Sequence, residues 1–169
     1  MKRIYLLRHA KSSWKDEDLA DHDRPLAGRG RKAAKAMARH LRRESIQPEL
    51  VLVSTALRVR QTLERIEPAL GRRSVRVEAA LYGASARSLL ERLRAVPDTV
   101  SSVMIIGHNP GLQQLAVDLA RPAPELSAVR LKFPTGALAT LAFDSAHWAD
   151  LDAGTAELVA FVRPRDLAG

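Results

Sequence analysis

The sequence predicts an α/β fold in which a mostly parallel central sheet is flanked by helices on both faces. Short apolar runs of strand length alternate along the chain with segments whose apolar residues recur at three- and four-residue spacing. This alternation is typical of parallel strands joined by crossover helices. The chain has 169 residues and no linker-like stretch divides it, so we expect a single domain over residues 1–169.

Each element follows from one of these two patterns. The apolar runs predict strands at 2–8, 49–53, 74–78, 101–107, 127–132, 137–143 and 157–162. The helical patterns predict helices over 28–45, 56–69, 85–95 and 111–120. The first helix places Ala34, Met37 and Leu41 on one face and basic residues opposite. Pro134-Thr135-Gly136 predicts a turn between two late strands, in an antiparallel hairpin at the edge of the sheet.

Composition argues against several kinds of protein. Cysteine is absent, which excludes disulfides and thiolate metal sites. No segment approaches the roughly 20 apolar residues of a membrane span. The apolar stretch before Arg8 has only four residues, too few for a signal peptide. We therefore expect a cytoplasmic protein without membrane association.

The chain is basic, with a net charge of +8. Its basic residues are spread over several predicted helices, and only 4% of residues are aromatic, which leaves little for base stacking. We expect no nucleic-acid partner. A positive field that attracts anionic substrates or acidic protein surfaces is the milder consequence.

Three predicted strands end in residues suited to phosphoryl chemistry. The run Ile4–Leu7 leads into Arg8 and His9, Val103–Ile106 leads into His108, and Arg58 follows a third run. Parallel sheets place ligands at the carboxyl ends of their strands. A neutral imidazole can attack phosphorus, and guanidinium groups bind the phosphoryl oxygens in fork geometry. The sequence therefore predicts one site that is rich in imidazole and guanidinium.

The segment after His108 predicts a helix start. Asn109 is a good N-cap and Pro110 a good first helical residue. A helix N-terminus beside His108 would add partial positive charge where a phosphate lies.

The chain contains, in order, the motifs Arg8-His9-Ala10 with Ser12 and Trp14, Arg24-Pro25-Leu26 with Gly30, Ser54-x-Ala56-x-Arg58-x-x-Gln61-Thr62, Leu81-Tyr82-Gly83 and Gly107-His108-Asn109-Pro110-Gly111. Taken together, these motifs resemble the histidine phosphatase superfamily, and among its branches they are most similar to the SixA-type phosphohistidine phosphatases. The resemblance implies a phosphoglycerate mutase-like fold without a large cap insertion, and no metal or cofactor.

The resemblance also implies roles for individual residues. His9 is the nucleophile that becomes phosphorylated, and Arg8, Arg58 and His108 complete the catalytic phosphate pocket. Arg8 and Arg58 also bind substrate, with Ser12 and Asn109 as further substrate-binding candidates.

The general acid is where the chain departs from the family pattern. Ala79 stands where mutases and many phosphomonoesterases carry a glutamate, and Glu78 is one residue away. Asp18, Asp21 or Asp23 in the long loop could supply an acid instead. A phosphoramidate nitrogen leaves more readily than an alkoxide, so this departure favours a P–N substrate.

The sequence thus predicts a metal-independent phosphatase that removes phosphate from phosphohistidine in proteins. Two alternatives stay open: a phosphatase of the same superfamily that acts on a small phosphoester, and a non-catalytic module that binds phosphate or phosphoproteins. A zinc site formed by His9, His22 and His108 is disfavoured because Arg8 would oppose a cation. The oligomeric state is left open.

Overall fold

Six strands form one mixed sheet in the computed structural model, which describes residues 1–167; the last two residues of the predicted domain lie outside them. The order across the sheet is β3-β2-β4-β1-β5-β6. The strands are β1 (Lys2–Arg8), β2 (Leu50–Val53), β3 (Ser74–Val77), β4 (Ser102–Gly107), β5 (Leu138–Phe143) and β6 (Ala156–Val162). The first four are parallel, whereas β5 runs antiparallel to β1 and to β6. The predicted fold class is confirmed.

Within residues 1–167, five α-helices cover the two faces of the sheet. They are α1 (Gly28–Arg43), α2 (Leu57–Ile66), α3 (Ala86–Arg94), α4 (Gly111–Leu119) and α5 (Leu126–Leu131). α1 and α2 pack on one face, and α3, α4 and α5 pack on the other. Because the central strands are covered on both faces, each contains an uninterrupted apolar run, as in the fully buried β2. Within residues 1–167, none of the helices combines the length and apolarity needed to cross a bilayer.

The prediction of a strand at 127–132 is wrong, since Leu126–Leu131 is α5. Val129 to Lys132 alternate between apolar and basic side chains, a pattern that suits a strand. The burial instead follows helical spacing, because Leu126 and Val129 lie in the core and Leu131 is 87% exposed. Pro134-Thr135-Gly136 does form a turn, with Gly136 at a φ of 78°, but it joins α5 to β5 rather than two strands.

Trp148 is a core residue. Its side chain is fully buried, and its indole N–H donates to the carbonyl of Val100 at 2.8 Å. The ammonium of Lys2, itself buried, also donates to Val100 and lies over the indole ring. This cluster closes the sheet at the end where β1 begins.

The start of α1 depends on a close backbone approach at Gly30. A Cβ there would lie 2.1 Å from the carbonyl oxygen of Lys11. We predict that Gly30→Ala lowers the free energy of unfolding by about 1–3 kcal/mol, because backbone must move to admit the methyl group. Urea unfolding followed by circular dichroism measures it. Gly28→Ala is the matched control in the same helical turn, since its Cβ would meet only the flexible end of Arg31, at 3.5 Å. Equal stability of the two variants would contradict the argument.

Candidate active site

Three neighbouring parallel strands end at the same edge of the sheet and deliver the central residues of the site. Arg8 is the register partner of Gly107, so His9 and His108 follow β1 and β4 side by side. Val53 is the partner of Ile106, which places the end of β2 next to the end of β4. The centroids of the two imidazole rings are 5.3 Å apart. Residues separated by about a hundred positions therefore meet at one place.

His9 is buried and its ring orientation is fixed by one hydrogen bond. Its Nδ1 lies 2.8 Å from the carbonyl oxygen of Ala10, an acceptor, so Nδ1 carries the proton and Nε2 carries the lone pair. The Ala10 amide in turn donates to the hydroxyl of Thr62, at 3.0 Å. Burial lowers the pKa of His9 to about 3, and the neighbouring Arg58 contributes in the same direction. The ring is neutral near pH 7, as a nitrogen nucleophile must be.

Arg58, in the first turn of α2, connects the two histidines. Its Nε donates to His9 Nε2 at 3.3 Å, and one Nη lies 3.4 Å from His108 Nδ1. The guanidinium also donates to the backbone oxygen and the carboxylate of Asp21, at 2.7 and 3.0 Å. A planar cation of this kind holds several acceptors in fixed directions at once.

His108 has the opposite tautomer to His9. Its Nε2 lies 2.7 Å from the Ser54 hydroxyl at the end of β2, whereas its Nδ1 faces the donor Arg58. We therefore place the proton on Nε2. Burial is the main cause that lowers the pKa of His108 to about 4, and the charge of Arg58 lowers it further. Ser54 belonged to a recognised motif, but only the structure gives it a partner.

The helix after His108 begins where the predicted range 111–120 begins, but its N-cap is Pro110 and not Asn109. Pro110 is the N-cap and α4 starts at Gly111, whose absent Cβ would lie 2.2 Å from the carbonyl oxygen of Ala84. The Asn109 side chain accepts from the Gln113 amide at 3.2 Å and donates to the carbonyl of Phe133 at 3.0 Å. Asn109 thereby ties the start of α4 to the segment before β5.

Arg8 approaches the site from β1 and is half-buried. One Nη donates to the carbonyl of Phe133, and burial followed by the charge of Arg58 lowers the pKa of Arg8. Its Nε is buried and has no hydrogen-bond partner within the described part of the chain. An unpaired buried donor is costly, and an anion within reach would relieve that cost.

The loop between β1 and α1 closes over the site through Asp21, a contact that the sequence did not reveal. The Asp21 carboxylate accepts from the Tyr82 hydroxyl at 2.6 Å, besides its bond to Arg58, and the ring of Tyr82 packs edge-on against His108. Arg24, which is 4% exposed, joins Asp21 to the Ser12 hydroxyl, at 3.3 and 3.0 Å. Ser12 therefore lies beside Arg24, with its hydroxyl already engaged.

Among the carboxylates weighed as general acids, two are clearly held in the ionised form. The hydrogen bond from Tyr82 lowers the pKa of Asp21, and the hydrogen bond from Arg58 acts in the same direction. The two-point bond from Arg92, at 2.7 and 3.0 Å, lowers the pKa of Glu78. The side chain of Asp23 is 67% exposed and lies 3.6 Å from His22. Among residues 1–167 there is no group of three or more His, Cys, Asp or Glu placed to hold a metal ion.

Comparisons with known proteins identify the family. The model of the histidine phosphatase superfamily, branch 1, matches residues 4–85. An uncharacterized protein of Mycobacterium tuberculosis is 39% identical over 94% of this chain and all of its own length. A protein of Nakamurella multipartitia, assigned as the phosphohistidine phosphatase SixA, is 31% identical with a TM-score of 0.85, over 96% of each chain. A protein histidine phosphatase SixA in complex with tungstate is 26% identical with a TM-score of 0.80, over 98% of this chain and 99% of its own.

This chain belongs to the histidine phosphatase superfamily, in its SixA-type branch, and it is a phosphatase. The family predicted from the motifs is confirmed. The alternative of a non-catalytic binding module is set aside, because the match covers an enzyme family and the fold of its SixA members over nearly the whole chain.

The site makes a testable prediction about protonation. At pH 6 we expect His9 and His108 to be neutral, with the proton of His9 on Nδ1 and that of His108 on Nε2. Long-range ¹H–¹⁵N spectra of the imidazole rings measure both properties. His147 is the internal control, because its hydrogen bond to Asp98 raises its pKa and keeps it charged at that pH. A midpoint for His9 near the ordinary value of about 6.5 would show that burial does not govern this site.

Proposed function

We propose that this phosphatase removes the phosphoryl group from phosphohistidine in proteins, by way of a phosphohistidine intermediate on its own His9. The observation that carries the proposal is the geometry of that ring, whose Nδ1 is bonded to the Ala10 carbonyl while Nε2 lies beside Arg58. The SixA phosphohistidine phosphatases that share the fold support the choice of substrate. As the sequence predicts, we place the activity in the cytoplasm.

In the first step, the Nε2 lone pair of His9 forms a bond to phosphorus while the bond from phosphorus to the substrate imidazole breaks. The substrate ring carries a proton on its other nitrogen and leaves as neutral imidazole, so the protein supplies no proton. Arg8 and Arg58 donate to the oxygens of the transferring group while His108 completes the pocket, and catalysis is mainly positioning and electrostatic stabilisation. Ser12 and Asn109 stay predicted substrate contacts.

In the second step, water attacks the phosphorus of phosphorylated His9. The bond to Nε2 breaks, and His9 returns to the neutral form, with Nδ1 still protonated and donating to the Ala10 carbonyl. Both protons of the water leave with the phosphate, as H₂PO₄⁻. Both steps therefore release a neutral imidazole, once from the substrate and once from the enzyme.

The state of the carboxylates supports a P–N substrate over a P–O one. An alkoxide leaving group needs a proton, and a positioned acid contributes about 10²–10⁴ in rate. Asp21 and Glu78 have lowered pKa values because Tyr82, Arg58 and Arg92 bind their charged forms. Neither of these two groups is suited to donate that proton near pH 7.

We predict that kcat/KM falls in the order phosphohistidine peptide, p-nitrophenyl phosphate, phosphoserine peptide of the same sequence. The order follows the ease with which each leaving group departs without a proton. Phosphate release in the presence of EDTA measures it. A preference for phosphoserine or for small alkyl phosphates would instead support the alternative, a small-molecule phosphomonoesterase.

Two variants assign the activity to the site. His9→Ala should abolish turnover and the incorporation of ³²P from labelled substrate into the protein. Arg58→Ala should lower kcat by about 10²–10³, the cost of losing one preorganised donor. Labelling that persists in His9→Ala would move the nucleophile elsewhere.

A further inference from the structure

A groove of about 580 Å³ opens at the same edge of the sheet as the active site. Its walls come from segments that the topology brings to that edge: the loop after β1, the N-terminal half of α1, the end of α5 with the following turn, and the segment after β6. β6 is antiparallel to β5 and hence runs in the direction of β1, so residues 163–165 emerge at the same edge as the end of β1, with the start of β5 between them. The groove is therefore adjacent to His9 by construction of the fold.

The turn at Pro134–Gly136 connects the groove to the nucleophile. The Gly136 amide donates to the backbone oxygens of both Arg8 and His9, at 3.0 Å. Pro134 and Thr135 of the same turn line the groove. A ligand in the groove would thus lie against the backbone that holds His9 in place.

The groove is strongly basic. Its lining contains five cationic side chains and, among the described residues, no carboxylate: Lys11, Arg29, Lys132, Arg163 and Arg165. Of these, Arg163 is paired with Asp166 outside the lining, at 3.0 Å. The other four make no salt bridge within residues 1–167. Like charges gathered in one concave surface raise the local concentration of an anionic partner.

The groove also contains an apolar strip. Leu131 is 87% exposed and lies in the groove together with other apolar groups. Ala33, Ala128, Pro134 and Pro164 line the same groove. A ligand that matches both features of the groove carries several negative charges and at least one aliphatic side chain. No aromatic side chain lines the groove among the described residues, which disfavours a single-stranded nucleic acid.

We propose that this groove binds an acidic segment of the phosphorylated protein substrate, with glutamate or aspartate side chains on the cations and an aliphatic side chain on Leu131. The inference rests on the proposed function. It adds that the enzyme selects phosphohistidine proteins by acidic sequence near the modified residue. Contacts that bind the substrate and the transition state equally lower KM without raising kcat.

The test compares two phosphohistidine peptides that differ only in flanking residues, several glutamates and a leucine in one and glutamines with the same leucine in the other. The readout is the ratio of their kcat/KM values. For the protein at low salt we expect the acidic peptide to be preferred about tenfold, mainly through KM. High salt should abolish the preference, because exposed charges are screened.

The groove variant combines Arg29→Glu, Lys132→Glu and Arg165→Glu. The matched control combines Arg39→Glu, Arg43→Glu and Arg65→Glu, exposed positions along α1 and α2 that make the same change in net charge without lining the groove. We expect the preference to vanish in the groove variant and to persist in the control. Leu131→Ser, which removes no buried group, should raise KM for both peptides and gives a second measurement if the triple variant is unstable.

Each other outcome overturns the inference in a recognisable way. An unchanged preference in the groove variant, with phosphohistidine turnover intact, would overturn the proposed role of the groove and leave the proposed function standing. Loss of the preference for the acidic peptide in both triple variants would show that net charge, and not the groove, causes the preference. A short single-stranded RNA that bound the groove more tightly than the acidic peptide would make the occupant a nucleic acid. Turnover of phosphoserine but not of phosphohistidine would overturn the proposed function and this inference with it.

Discussion

The shared register of three parallel strands is the constraint on which the rest of the structure depends. Because Arg8 pairs with Gly107 and Val53 with Ile106, β1, β4 and β2 end at one level. A shift of one residue in either pairing would send the histidine that follows to the other side of the strand end. The fully buried apolar side chains of these strands set the register, since each must reach its own face of the core.

The same burial sets the electrostatics of the site. Two imidazoles with pKa values lowered to about 3 and 4 remain neutral beside two guanidinium groups. Asp21, in the loop between β1 and α1, forms an ion pair with one of these guanidinium groups, that of Arg58. The result is a positively charged, partly desolvated surface, where hydrogen bonds to a phosphoryl group are stronger than in water. The same buried arrangement of two imidazoles and two guanidinium groups thus keeps the nucleophile neutral and its surroundings cationic.

Much of this could be predicted from the sequence, because strand ends and motif residues carry local signals. Such signals predicted the fold class, six of the seven strands and the residues that meet at the site. The role of Asp21 was not, because it depends on how a long loop folds back onto Arg58 and Tyr82. Leu126–Leu131 was misassigned because four alternating residues suit a strand, whereas burial at Leu126 and Val129 follows a helix.

The most direct test of the central claim is a crystal structure of the protein with vanadate. The account predicts a bond from vanadium to Nε2 of His9, with the oxygens of the ion within hydrogen-bonding distance of Arg8 and Arg58 and with His108 lining the same pocket. Vanadate bound at another surface, or attached to His9 without contact to either guanidinium group, would contradict it.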